Sequence, residues 1–600
     1  MTDHHARLAA LRTQLATDGL DGFIVPLTDE HMSEYVGGYA QRLAWLTGFE
    51  GSAGTAVVLA DRAAIFIDGR YTIQVREQVS GDDWAYVGVP AESVAGWLAA
   101  AAPAGARVGY DPWLHTRAGL ADIATVLAEK GGALVAVARN PIDAVWHDRL
   151  QPSAAMMRPY DETLAGASSA TKRSDIGDWL TEQGADAVVL SALDSIAWAL
   201  NVRGGDVDHT PVALSYAIVN ADGSTDLFVA PEKVDDALRQ HLGNAVRLHA
   251  RADFAPALGR FQGKKVIADP ERAVAAIADA IEAGGGTVIA RRDPVVLAKA
   301  IKNPVEVAGH RAASARDGAA LSRFLRWIEA KAPRGGQTEL SAAAKLLEFR
   351  RAEGLLLDSS FATISATGAH GAIPHYHVNE QSNAPLEPGQ LFLIDSGGQY
   401  ADGTTDVTRV VPVGAPSAEM RDRFTRVLKG HIAIATAVFP DGTCGAQIDG
   451  FARRPLWEAG LDFGHGTGHG IGAYLSVHEG PQRIASPNYP GGASLEPLRA
   501  GMMLSNEPGY YKPGEYGIRI ENLILIEPRD IAGGDPDRRI LGFETLTFVP
   551  IERDLIDPAL LTDAELTWLN SYHADVERIL GPLMEGEDRQ WLSQKCALVG

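Results

Sequence analysis

Two pairs of acidic residues have the spacing that joint work on a substrate would need. Asp395 closes the apolar run Leu391-Phe392-Leu393-Ile394, and Asp406 follows in Thr404-Thr405-Asp406-Val407-Thr408-Arg409. The stretch between them, Gly397-Gly398-Gln399-Tyr400-Ala401-Asp402-Gly403, is rich in turn formers and carries an Asp-Gly dipeptide. Folding it as a hairpin returns Asp406 to the neighbourhood of Asp395. A carboxylate at the end of an apolar strand is costly to bury unless something positive pairs with it. The second pair is Glu507, in Ser505-Asn506-Glu507-Pro508-Gly509, and Glu521, in Arg519-Ile520-Glu521-Asn522. A hairpin centred on Gly514, the midpoint of 507 and 521, sets these two carboxylates opposite one another. Either pair alone is compatible with hairpin decoration; two hairpins offering two carboxylates each are far more specific.

A fifth element is His465-Gly466-Thr467-Gly468-His469-Gly470-Ile471-Gly472. Histidines four apart suggest a zinc helix, but that motif needs a helix and a glutamate beside the first histidine. Glycines stand at 464, 466, 468, 470 and 472, and each costs a helix ~1 kcal/mol. The segment must be extended or looped, with its backbone approaching something closely.

Four carboxylates and an imidazole together suit two divalent cations, whose charge the carboxylates neutralise. Oxygen-rich sites of this type favour hard or borderline ions, manganese and cobalt among them. Two such ions hold a bridging water and lower its pKa, giving a nucleophile at neutral pH. Calcium is the competing ion, but its usual loop gathers its ligands within about a dozen residues, whereas these run from 395 to 521.

The elements that must position these groups are legible in outline. Apolar positions from Ala6 to Ala16 repeat at helical spacing, Gly22–Pro26 reads as a buried strand, and Val57–Leu59 and Ala64–Ile67 read as strands about an Ala60-Asp61-Arg62 turn. This alternation predicts an α/β layer. A second copy begins near 170: Gly184–Leu190 echoes Gly19–Val25, and Ile196–Asn201 echoes Leu43–Gly48. Helix is expected from about Asn303 through Ala330. From there to Ile526 glycine-rich turns are expected to alternate with short strands. The tail from about Leu541 is mixed, with helix around Asp563–Met584.

The chain has 600 residues, 46% hydrophobic and 22% charged, which predicts a globular protein of several domains. Its net charge of −22, from 54 Lys+Arg against 76 Asp+Glu, repels phosphate backbones and anionic lipid. Nucleic acid and membrane surfaces are therefore not expected partners. Two cysteines, Cys444 and Cys596, exclude a disulfide framework and a cysteine-rich zinc module. Met1–Arg7 lacks a basic region followed by an apolar run, and no stretch approaches the ~20 apolar residues that span a bilayer. A cytoplasmic enzyme is expected.

At these residues the sequence resembles the "pita-bread" metallopeptidases, and within them the three-domain cytosolic aminopeptidase P (Xaa-Pro aminopeptidase) group. The likeness also lies in Ala44-Trp45-Leu46-Thr47-Gly48-Phe49-Glu50-Gly51, Asp68-Gly69-Arg70-Tyr71, Leu193-Asp194-Ser195-Ile196-Ala197-Trp198 and Gly542-Phe543-Glu544-Thr545-Leu546. The resemblance implies an α/β (α+β) chain: a creatinase-like domain over 1–145, a second over 146–302, a pita-bread catalytic domain over 303–530 and a C-terminal extension over 531–600. It implies Asp395, Asp406, His469, Glu507 and Glu521 as ligands of two divalent ions, most readily Mn2+ with Co2+ or Zn2+ as alternatives. Asp406 and Glu521 would serve both ions, and Glu507 would also take a proton from the attacking water. His375, in Ile373-Pro374-His375-Tyr376, corresponds to a histidine that contacts substrate and shuttles a proton. His465 and His478 correspond to histidines that line the proline pocket and stabilise the oxyanion. Arg519 shares a strand face with Glu521 and can steady the cluster or a substrate carbonyl; Arg70 resembles a residue near the substrate. His370 and His377 carry no such support and read as structural. The implied activity is hydrolysis of the N-terminal Xaa-Pro bond by a hydroxide bridging the two ions, in a homodimer. A prolidase restricted to Xaa-Pro dipeptides and a silent peptide-binding homologue stay open as alternatives.

Overall fold

The computed structural model describes residues 3–489 and 492–600; Met1 and Thr2, part of the leader reading, lie outside them. By its contacts the chain divides into two compact units, Met1–Val296 and Leu297–Gly600.

Unit 1 holds two α/β layers of the same design. The first helix, His4–Thr17, is capped by the Asp3 side chain and buries Leu8, Leu11 and Leu15. The strand that follows, Gly22–Pro26, is buried throughout. Its sheet runs, in spatial order, Ala85–Gly88, Ala63–Ile67, Thr55–Leu59, Gly22–Pro26, Arg107–Tyr110, Ala133–Ala136. The second sheet runs Val246–Ala250, Thr225–Val229, Ser215–Asn220, Ala187–Leu190, Lys265–Ala268, Thr287–Ala290. Parallel and antiparallel pairings follow the same sequence in both sheets. The echo between Gly19–Val25 and Gly184–Leu190 is therefore a structural repeat, each copy supplying the strand at which pairing changes from antiparallel to parallel. The second echo ends both times in a left-handed helix cap, at Gly48 (φ 82°) and Asn201 (φ 48°), the conformation that Gly and Asn adopt most readily.

Unit 2 opens on the long helix Pro304–Lys331, whose start is fixed by a capping box between Asn303 and Glu306. Leu321, Phe324, Leu325 and Ile328 pack it on the strands Leu391–Ser396 and Val407–Pro412. Those two strands and Ile364–Thr367 form one sheet. A second sheet of six contains Met503–Asn506, Asn522–Pro528, Gly468–Gly470 and Glu479–Ile484. The tail forms helices Asp563–Leu580 and Gly586–Lys595.

The expectation of turns and short strands from 331 to 526 needs correction. Helices Glu339–Ala352, Ala418–Ala435 and Gly445–Trp457 lie in that segment. Their glycines mark close approach instead of turns: a Cβ on Gly430 would meet Ala452 O at 2.2 Å, and one on Gly445 would meet Arg483 O at 1.9 Å. Among the described residues no helix is long and apolar enough to cross a membrane.

Candidate metal centre

The four carboxylates come from two hairpins. Leu391–Ser396 pairs with Val407–Pro412 so that Asp395 faces Thr408, and Asp406 stands one residue before the returning strand. The second hairpin holds one register across two ladders: Gly509 faces Arg519 and Asn506 faces Asn522. Both pairs are centred on Gly514, so Glu507 and Glu521 face each other where the ladders meet. His469 sits in the short strand Gly468–Gly470, hydrogen-bonded through its backbone N–H to Ser505 Oγ at 2.9 Å. Glycine is required on either side of it. A Cβ on Gly468 would meet Ser505 O at 1.9 Å, and one on Gly470 would meet Glu479 O at 2.5 Å.

The ligand atoms that Asp406, His469 and Glu521 can offer lie within 4.8 Å of one another. His469 Nε2 stands 3.5 Å from Asp406 Oδ2 and 3.5 Å from Glu507 Oε1. Its Nδ1 reaches the Gly470 carbonyl at 3.0 Å, which places the proton on Nδ1 and turns Nε2 toward the carboxylates as a lone-pair donor. Glu521 Oε2 accepts from Thr408 Oγ1 at 2.6 Å, and Glu507 Oε1 from Ser505 Oγ at 3.1 Å.

Asp395, Asp406 and Glu521 are buried. Burial, then repulsion from Glu521, Asp395 and Glu507, pushes the Asp406 carboxyl well above its ordinary range. Burial, then Asp395 and Glu507, does the same to Glu521. Glu507 is raised as well, by burial first. Asp395 Oδ1 and Asp406 Oδ1 are buried with no hydrogen-bond partner. Among the described residues Arg519 is the Arg or Lys that bonds a carboxylate of the cluster: its Nη2 lies 2.5 Å from Asp395 Oδ2. One guanidinium against four carboxylates leaves a buried negative excess, and unpaired inward oxygens are what divalent cations of the hard or borderline class would satisfy. The residues present fit a two-cation centre.

The histidines border this cluster. His478 packs edge-on against His469, ring centroids 4.3 Å apart, and His375 lies 6.4 Å from His478 with nearly parallel rings. His465 Nδ1 meets the Gly466 carbonyl at 2.7 Å, and its Nε2 meets the Tyr511 hydroxyl at 2.8 Å. Arg519 donates to Tyr511 Oη at 2.6 Å, Pro374 O at 3.2 Å and Thr408 Oγ1 at 3.1 Å. All three guanidinium nitrogens thus serve protein acceptors, which supports the cluster-steadying role of the two that the sequence leaves open; the substrate-carbonyl role would need one of those bonds released. His370 bonds Glu339 at 2.8 Å and stacks on Tyr376, a structural part. Arg70 belongs to unit 1, where it forks onto Asp68 at 3.0 and 2.7 Å and lies over Tyr71.

Three participants escaped the sequence reading. Tyr511 joins His465 to Arg519, and the Gly514-centred hairpin had already put it on the Arg519 face. His431, from helix Ala418–Ala435, meets the Asn506 carbonyl at 3.1 Å and the Asn522 amide at 3.2 Å, so it holds the residues beside Glu507 and Glu521. Buried Arg409 donates to Glu521 O at 2.7 Å and to the Tyr572 hydroxyl at 2.9 Å, which ties the tail helix to a ligand strand. No local sequence signal distinguishes His431 or Arg409 from an ordinary helix or strand residue.

The chain's similarities agree with this geometry. Residues 308–528 match the model of metallopeptidase family M24, and 539–599 match the C-terminal region of that peptidase. Residues 7–144 and 148–306 each match a creatinase/prolidase N-terminal domain. Aminopeptidase P2 of Arabidopsis thaliana is 41% identical, over 96% of this chain and 85% of that protein. A probable Xaa-Pro aminopeptidase P of Coprinopsis cinerea is 39% identical over 99% of this chain and 98% of its own length. The crystal structure of an X-prolyl aminopeptidase from Caenorhabditis elegans, described as a cytosolic enzyme with a di-nuclear active site, superposes with a TM-score of 0.94. It is 34% identical and covers 100% of both chains.

Proposed function

The chain belongs to metallopeptidase family M24, and from that premise we propose that it is an Xaa-Pro aminopeptidase, releasing the first residue of peptides whose second residue is proline. The observation that carries the reading is the acidic cluster of Asp395, Asp406, Glu507 and Glu521, in which His469 Nε2 stands 3.5 Å from both Asp406 and Glu507 and two buried carboxylate oxygens are unpaired. Those five residues would hold two divalent ions, manganese ahead of cobalt or zinc. When bound, the ions supply Lewis acidity toward the scissile carbonyl and a water-derived nucleophile at neutral pH.

The protein's own groups do the rest. Glu507 accepts the proton of the attacking water, a role that suits a carboxylate within transfer distance of it. His478 and His465 steady the oxyanion and border the proline ring, while His375 meets the peptide beyond. The free α-amine of the substrate is drawn to the acidic cluster, which confines cleavage to the first bond. Proline nitrogen bears no hydrogen, so the bond cut is a tertiary amide that ordinary aminopeptidases fit poorly. Arg519 keeps Asp395 and the Pro374–His375 loop in place, and the substrate-binding role of Arg70, which pairs with Asp68, is proposed from the family resemblance alone.

The domain boundaries 1–145, 146–302, 303–530 and 531–600 belong to the same proposal, supported by the four family matches. So do a homodimer, checked by sedentation-free mass measurement such as light scattering, and a cytoplasmic location, supported by the description of the nematode enzyme. The deciding experiment strips the metal, restores manganese and offers Gly-Pro and Arg-Pro-Pro separately. Manganese-dependent release of arginine from the tripeptide supports the aminopeptidase. Cleavage of the dipeptide alone makes the chain a prolidase, and neither reaction with poor metal uptake makes it a silent binding homologue.

A further inference from the structure

Unit 1 contains a cavity of about 560 Å³ where its two α/β layers meet. Ligand pockets commonly occupy several hundred Å³ and favour such junctions. We infer that this cavity is a binding site for a small organic oxyanion carrying a planar apolar group, separate from the metal centre.

The charge on its walls sets the sign of the ligand. Four guanidiniums line it: Arg42, Arg139, Arg149 and Arg251. Against them stand three carboxylates, Glu30, Asp111 and Asp143, a positive balance inside a chain whose net charge is −22. The carboxylates are already committed. Asp143 accepts from Arg42 at 2.8 and 3.0 Å and from Arg149 at 2.6 Å. Glu30 accepts from Arg251 at 2.6 Å and from the Tyr39 hydroxyl at 3.0 Å. Asp111 accepts from the Trp113 backbone and the Asn140 amide, both at 2.9 Å. What remains uncommitted is donor capacity. Arg42 Nη1 and Arg251 Nε are buried without a hydrogen-bond partner, and among the described residues Arg139 is exposed and makes no ion pair. Buried donors left unpaired are costly, and an anion beside them offsets that cost.

The apolar part of the ligand follows from the aromatic wall. Tyr216 stacks on Phe254 with centroids 3.9 Å apart and planes 3° apart, and Trp113 meets both edge-on at 6.5 Å. Trp113 and Glu30 come from the first layer, Phe254 and Arg251 from the second. The walls are thus held before any ligand arrives, which lowers the ordering cost of binding. Planar guanidiniums match both carboxylate and phosphate, so the anionic group is one of these two.

Calorimetric titration of the full-length, manganese-loaded protein with phenyl phosphate, phenylacetate and the neutral 2-phenylethanol tests the site. We expect one of the anions to bind about tenfold or more tightly than the alcohol, and which anion does so distinguishes phosphate from carboxylate. Arg139→Glu, a surface change, should weaken that anion by about tenfold or more, and Ala255→Trp, which fills the cavity from an exposed wall position, should abolish its binding. Peptide cleavage should be unchanged in both variants. Anions that bind no better than the alcohol, or binding that survives Ala255→Trp, would overturn the inference.

Discussion

Arg519 Nη2 lies 2.5 Å from Asp395 Oδ2, and this pair, with the Thr408 Oγ1 bond to Glu521, joins the two acidic hairpins into a single site. The same side chain reaches Tyr511, Thr408 and the Pro374 carbonyl. A lysine keeps the charge but cannot span four acceptors with a rigid fork. Arg519→Lys should therefore lower manganese affinity or kcat/KM by roughly 10- to 100-fold, the usual cost of losing a group that orients ligands. Titration of manganese with activity as readout checks this; wild-type values in the variant would remove Arg519 from that role.

The carboxylates themselves should be far less forgiving. Asp406→Asn or Glu521→Gln removes a charge from a cluster whose ligand atoms lie within 4.8 Å. Turnover should fall below detection and bound metal, measured by elemental analysis after dialysis, should drop. Full turnover by Asp406→Asn with manganese present would sink the assignment.

Metal removal should also change how stability responds to pH. Asp406, Glu507 and Glu521 all have carboxyls raised above their ordinary values by burial and mutual repulsion. An acid whose folded pKa is raised costs nothing below its unfolded pKa and destabilises the fold as pH climbs from there to the folded value. Compared with metal-free Asp406→Asn, the metal-free protein should accordingly lose stability progressively as pH climbs above the ordinary carboxyl value of about 4. Saturating manganese should raise the melting point most at higher pH; at 100 times Kd its binding contributes about 2.7 kcal/mol. A stability difference between the two metal-free proteins that stays constant as pH rises would contradict the cluster's assigned electrostatics.

Much of this was readable from residue type and spacing. The Gly514 midpoint gave the register that places Glu507 against Glu521, because a hairpin's pairing follows from its turn. The tandem layers were legible through Gly19–Val25 and Gly184–Leu190, since a strand buried on both faces is a continuous apolar run. Helices Ala418–Ala435 and Gly445–Trp457 were not, because Gly430 and Gly445 serve interhelix and helix–strand approach and their sequence signature is that of a turn. His431 was illegible for a different reason: its partners, Asn506 and Asn522, lie about 75 and 91 positions away, and only the fold joins them.

Tyr511 offers a test of the histidine arrangement apart from the metal. Its hydroxyl lies 2.8 Å from His465 Nε2 and 2.6 Å from Arg519 Nη1. Tyr511→Phe keeps the ring and removes that link, so kcat should fall by about tenfold while manganese stoichiometry stays at the wild-type value. Equal loss of metal and activity would instead assign Tyr511 to holding the ligand cluster.

Acid should destabilise the protein through buried neutral histidines, and His573 makes the argument testable. Burial, then repulsion from Arg553 and Arg409, lowers its pKa to about 4, and its Nε2 accepts the Ile551 backbone N–H at 3.2 Å, which only the neutral ring can do. A histidine whose folded pKa lies below its unfolded value stabilises the fold fully above the unfolded pKa. That stability is lost as pH falls from about 6.5 toward about 4. At roughly 1.4 kcal/mol per unit, up to about 3 kcal/mol rides on this one group. Glutamine can accept the same backbone bond but does not titrate. In urea unfolding at pH 7 and pH 5, His573→Gln should lose less stability between the two than the wild type does. An equal loss in both proteins would mean that His573 takes up its proton in the folded state as readily as in the unfolded one.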